Sequence, residues 1–175
     1  MKIISKYQLR GNYSFDGQEG SQVGEITLCS DGKLVGRVRD SNSPLDTKNP
    51  RYGLDKILLG LTFPEESSLG FLKLVPNKSG FAPVIWYATA VNPDSSKSGL
   101  FSEYDGLWQW GIMWTPAEKL QLVLNQGVPS IPDLIATNFP HLRDIYFNPE
   151  NLKFLKESAE GMFQTGKLYF EEIKQ

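Results

Sequence analysis

"VGEITLCSDGKLVGRVRD", residues 23–40, decides how the rest of the chain is read. Two β-prone runs flank Asp31-Gly32, a turn signal, so the stretch is a hairpin. Two registers compete. A two-residue loop at Asp31-Gly32 would set Arg37 opposite Ile26. A three-residue loop, Ser30-Asp31-Gly32 with Gly32 in the left-handed conformation, sets Glu25 opposite Arg37 and Leu28 opposite Leu34. Only the second gathers Ile26, Leu28, Leu34, Gly36 and Val38 on one face and leaves Glu25, Thr27, Val35 and Arg37 on the other. A one-residue slip destroys that sorting, so the second register is expected.

Similar runs follow on both sides. "KILLGLTF" (56–63) and "LGFLKLV" (69–75) flank "PEESS", read as a hairpin with a five-residue loop. "PVIWYATAV" (83–91) opens on a proline, which a strand start tolerates. "GLWQWGIMW" (106–114) sets Trp108, Trp110, Ile112 and Trp114 on one face if it is a strand. "IISKYQL" (3–9) alternates weakly, as an edge or closing strand would. Residues 41–54 and 92–105 are long connections, functional or mobile by their length.

The chain then changes character. "TPAEKLQLVLNQG" (115–127) has Thr115 as N-cap, Pro116 at the first helical position, Glu118 closing a capping box and Gly127 as a stop. Residues 130–138 suggest a short helix. Residues 148–166 repeat the grammar, with Asn148 as cap and Gly166 as stop. "KLYFEEI" (167–173) is a candidate last strand. The expected fold is mainly β with α: an antiparallel up-and-down β-barrel, or a strongly curved sheet, followed by a helical C-terminal segment. In one domain over 1–175, residues 1–115 would form the barrel part and 116–175 the mainly helical part.

"GNY" at 11–13, "GRVRD" at 36–40, "GLTF" at 60–63, "PVIWY" at 83–87 and "GLWQW" at 106–110 fall at intervals that resemble the calycin-like barrels: lipocalins, fatty-acid-binding proteins and avidins. The resemblance covers roughly residues 10–115. It implies a barrel able to hold something inside, and no particular ligand. Tyr13 stands where the lipocalin signature has tryptophan, and no avidin ligand set is present.

Composition narrows the function. The 175 residues are 40% hydrophobic and 22% charged, with net charge −2. That fits a globular chain and gives no basic footprint for nucleic acid, since Arg37 and Arg39 are its densest basic cluster. No stretch of 18 apolar residues suggests a membrane span. The opening residues hold no apolar signal-peptide core, and the single Cys29 can form no internal disulfide, so a cytoplasmic chain is expected. The single His141 lies in "NFPHLRD", away from the strands. No nucleotide, metalloprotease or hydrolase motif is present, so catalysis is disfavoured and no cofactor or metal is expected.

Asp40 is the candidate that matters most. In the preferred register it continues the face of Leu34, Gly36 and Val38, so its carboxylate points inward and needs a partner or a ligand. The alternative is an Asx-turn onto Ser41 or Asn42. Trp108, Tyr87 and Glu103 are the other candidate ligand-binding residues, and Tyr104 and Asp105 add polar groups nearby. The tryptophan face is either a packed core or a pocket wall. Volume favours the core, because a barrel that also receives Phe63, Phe71 and Trp86 fills itself. A pocket would then lie at one rim, near Trp108 and Asp40. The leading reading is non-catalytic binding of a small, partly apolar molecule at the barrel mouth or interior. A protein-interaction module using the helices or long loops, and an enzyme with carboxylate chemistry, are the alternatives.

Overall fold

The computed structural model describes residues 3–15, 17–42, 55–74, 84–110 and 164–174, with the side chains of Phe15, Asn42 and Trp110 outside that description. Eight strands follow one another: β1 Ile3–Phe15, β2 Gln18–Cys29, β3 Lys33–Asn42, β4 Lys56–Phe63, β5 Ser68–Leu74, β6 Val84–Ala90, β7 Glu103–Trp110 and β8 Gln164–Glu172. Each pairs antiparallel with its sequence neighbours, and β1 pairs with β8, so the sheet closes into a barrel. The open curved sheet is therefore excluded. Leu9 faces Phe170 and Tyr13 faces Gly166 across the closing seam.

The β2–β3 hairpin has the three-residue loop. Glu25 pairs with Arg37 and Leu28 with Leu34. Gly32 takes φ +83°, and its N–H donates to the Cys29 carbonyl at 2.9 Å. That positive φ is what glycine supplies at no steric cost, and it turns the chain without splaying the strands. Glu25 and Arg37 both stand exposed on the outer face.

The interior is filled. Phe71 stacks on Trp86 at 5.9 Å between ring centroids, and Trp86 stacks on Trp108 at 6.4 Å. Leu9, Ile26, Leu34, Leu58 and Leu168 pack round this column. Room for it comes from the facing pair Gly106 and Gly166. A Cβ on Gly166 would lie 2.4 Å from the Trp86 ring, and one on Gly106 2.8 Å from it. Small residues facing a large one are how a narrow barrel accommodates an indole.

Three expectations need correcting. The β4–β5 connection has four residues, 64–67, because Phe63 already pairs with Ser68. A single 3-10 turn, Pro64–Glu66, makes the bend, and Ser67 takes φ +52° without being glycine. Phe63 falls on the outer face, out of phase with Leu58 and Gly60. Gly166 does not stop a helix: β8 begins at Gln164, and Gly166 sits in the strand under the Trp86 ring. The remaining helical expectations, including the Thr115 cap, lie outside the described residues, as do Ile112 and Trp114.

β4 and β5 are buried on both faces. Lys56, Leu58 and Gly60 point into the barrel; Ile57, Leu59 and Leu61 point out, yet remain buried, as do Leu72 and Leu74 on β5. Each such aliphatic side chain contributes about 1.5–3 kcal/mol by leaving water, so this outer layer matters as much as the interior. Among the described residues, no helix is long and apolar enough to cross a membrane.

Candidate functional site

The two ends of the barrel differ in chemistry. One carries the turns 30–32 and 64–67 and the connection 91–102. That connection folds back over the opening and inserts Leu100 into the core. Two phenols hold it: the Leu100 N–H donates to the Tyr7 hydroxyl at 3.1 Å, and the Phe101 N–H donates to the Tyr104 hydroxyl at 3.0 Å. Burial pushes the Tyr104 phenol up to about 12, against the opposing effect of the Phe101 hydrogen bond. Outside this plug lies a cavity of about 840 Å³, with Leu28, Leu100 and Tyr104 at its base and Asp31, Glu65 and Lys97 at its rim.

The other end holds buried charge. Alternation carries Gln22 of β2, Asp40 of β3, Lys56 of β4 and Lys73 of β5 into the interior, each in phase with apolar residues of its own strand. Lys56 Nζ lies 3.1 Å from Asp40 Oδ2. Lys73 Nζ donates to Gln22 Oε1 at 2.6 Å and lies 3.9 Å from Asp40 Oδ1. All four are buried, with Gln22 1% and Asp40 8% exposed. Taking these groups out of water is costly unless each polar atom finds a partner. Two do not: Gln22 Nε2 and Asp40 Oδ1 have no hydrogen-bond partner. The residues that carry them are direct cross-strand neighbours. Because the Lys73 ammonium can only donate, it fixes the Gln22 amide with its oxygen toward Lys73 and its nitrogen away.

An aromatic path leads out from this cluster. The Lys73 ammonium stands 5.7 Å from the Tyr13 ring centroid. Tyr13 meets Trp108 edge to face at 5.8 Å. Trp108 is 4% exposed, and its indole N–H donates to the Thr165 carbonyl at 3.3 Å. Asp40 and Trp108 are thus brought to the same end of the interior, linked through Lys73 and Tyr13. Asp40 takes an ion pair in place of the Asx-turn.

Tyr87 and Glu103 do not join them. Tyr87 is on the outer face of β6, out of phase with Trp86 and Ala88. Glu103 is on the outer face of β7 at the plugged end, 3.2 Å from Lys167. Lys167 also lies 3.1 Å from Asp105, and hydrogen bonds to Asp105 and Glu103 raise its pKa. Cys29 is fully buried, and desolvation pushes its thiol up, the opposite of what a nucleophile needs. Among the described residues, no group of three His, Cys, Asp or Glu could hold a metal ion. His141 lies outside them.

Gln22, Lys56, Lys73 and Tyr13 were absent from the sequence-based candidates. The signal existed for Gln22, in phase with Ile26 and Leu28, and for Lys73, two residues from Phe71; for Lys56 it did not, because Phe63, expected to point inward, sets the opposite phase on β4. No known protein family, curated protein or solved structure matches the chain.

Proposed function

We propose that this barrel binds a small, partly apolar molecule without catalysis, at the end of its interior where Asp40, Lys73, Tyr13 and Trp108 meet. The observation that carries the reading is the pair of orphaned polar atoms there, Gln22 Nε2 and Asp40 Oδ1. Buried polar groups are nearly always satisfied, and a few convergent ones beside aromatic walls are what a ligand site presents. The chain-ordered, closed eight-strand meander supports the calycin-like reading of the architecture. The buried, unpaired Cys29 suits a reducing compartment such as the cytoplasm.

Thermal unfolding with a panel of medium-chain amphiphiles tests the proposal. A binder held at a hundred times its Kd adds about 2.7 kcal/mol to stability. Trp108→Ala, by removing the outer aromatic wall, should lower affinity while the variant still unfolds cooperatively. A panel in which no compound raises Tm removes the reading.

A protein-interaction surface is the second reading. Its support is the filled centre together with exposed Ile3, Ile4 and Ile173 at the plugged end.

A further inference from the structure

We infer that the cavity outside the plug, at the end of the barrel away from the Asp40 cluster, is a second binding site, and that it takes an amphipathic organic cation of the alkylammonium class. The inference stands apart from the binding reading above, since it uses other residues at the other end of the molecule.

The cavity holds about 840 Å³, inside the range of roughly 300–1,000 Å³ that small-molecule sites occupy. Its base is apolar, because Leu28, Leu100 and Tyr104 bury themselves there. That base is held in place: the Leu100 and Phe101 N–H groups donate to the Tyr7 and Tyr104 hydroxyls, so the shape exists before any occupant arrives. The wall also holds a polar group with nothing to bond. Ser68 lines the cavity and is 4% exposed, and its hydroxyl has no hydrogen-bond partner. Buried polar groups are nearly always paired, and a hydroxyl can pair with either a donor or an acceptor of an occupant.

The rim decides the charge of that occupant. Asp31 comes from the β2–β3 turn, Glu65 from the 3-10 turn and Asp94 from the connection 91–102. Lys97 is the one cation among the lining residues, so three carboxylates stand against one ammonium. Hydrogen bonds from Ser96 hold the Asp94 carboxyl below its usual value, which keeps it ionised at neutral pH. Among the described residues, none of the three carboxylates forms an ion pair with a lysine or arginine. An alkyl chain leaves water against Leu28 and Leu100, while an ammonium at its end stays among the carboxylates. A carboxylate end meets the wrong sign, and an alcohol end gains little from the rim. Each such exposed charge contributes modestly and is screened by salt, so the preference comes from the sum of the three.

The test titrates three probes with one alkyl tail, octylammonium, 1-octanol and octanoate, calorimetrically near neutral pH. At low salt octylammonium should bind about tenfold tighter than octanol, and octanoate weakest of all. At about 0.5 M salt the advantage of octylammonium should shrink toward that of octanol. Glu65→Lys reverses a charge on an exposed turn and should cost octylammonium about tenfold. Ser98→Trp places a bulky ring at an exposed position of the lining and should abolish its binding, with the unfolding midpoint unchanged. Octanol or octanoate binding as tightly as octylammonium overturns the inference. So does octylammonium binding that neither variant weakens, which would put the probe at the Asp40 end and leave the reading of that end intact. No binding of octylammonium overturns it as well.

Discussion

Trp86 and the glycines beneath it show how single residues set the barrel's bore. The indole lies across Gly106 and Gly166, and neither can carry a side chain without displacing it. Gly166→Ala should cost about 1–3 kcal/mol as the ring is forced from its place. Equilibrium unfolding in urea would measure this, and an unchanged midpoint would mean the column can shift. Tyr104 gives a prediction in pH. Its folded pKa, about 12, lies above the ordinary phenol value near 10, because burial disfavours the anion. The folded state therefore holds its proton more tightly. The stability this contributes is fully present below about pH 10 and is lost as pH rises toward 12. Tyr104→Phe should flatten that alkaline decline, while losing about 1 kcal/mol at neutral pH because the Phe101 N–H loses its acceptor. Urea midpoints measured across this range for both proteins decide it. At the same scale, Asp40 was legible as inward-facing from alternation alone. Its partner was not, because period two gives a direction and says nothing about which distant lysine reaches back. Tyr87 and Glu103 are polar residues in or beside the runs 83–91 and 106–114, and the same alternation turns both outward.

Among the elements, the β2–β3 hairpin was the most legible, since an Asp-Gly turn and clean face sorting agreed on one register. The β4–β5 hairpin was misread by a residue because its turn puts Ser67, not glycine, in the left-handed conformation, and composition does not mark that. β8 was read partly as helix because a glycine after an apolar stripe looks like a stop; the indole that needs this glycine lies about 80 residues away. The unbroken apolar runs of 56–63 and 69–75 did carry a further message. Strands that do not alternate are buried on both faces, which is how β4 and β5 stand. The connection 91–102 behaves as part of the core despite its loop composition. Leu100→Ala should cost about 2–5 kcal/mol, as in any core position, whereas Ser96→Ala in the exposed part of the same loop should stay near 0.5 kcal/mol. Similar losses at both positions, read from denaturant midpoints, would contradict the plug.

At the scale of the whole molecule, closure depends on one seam. β8 pairs with both β7 and β1, so removing it leaves two long unpaired edges. A chain ending at residue 163 should lose cooperative unfolding and self-associate, as size-exclusion chromatography and circular dichroism would show. A monomeric, cooperatively folded truncation would mean the seam is dispensable. The barrel itself was readable from the sequence because seven of its strands follow in order with turn signals between them. Its closing partner was harder to place, since nothing local ties residues 164–172 to residues 7–13. The same seam sets a schedule during synthesis. β1 leaves the ribosome roughly 150 residues before β8, an interval of about 8–30 s at ordinary elongation rates. Throughout that interval β1 has one edge without its final neighbour, and every intermediate between is an open ribbon. The cylinder can form only after translation has passed β8, which makes the newborn chain a client for whatever shields exposed strand edges in the cell.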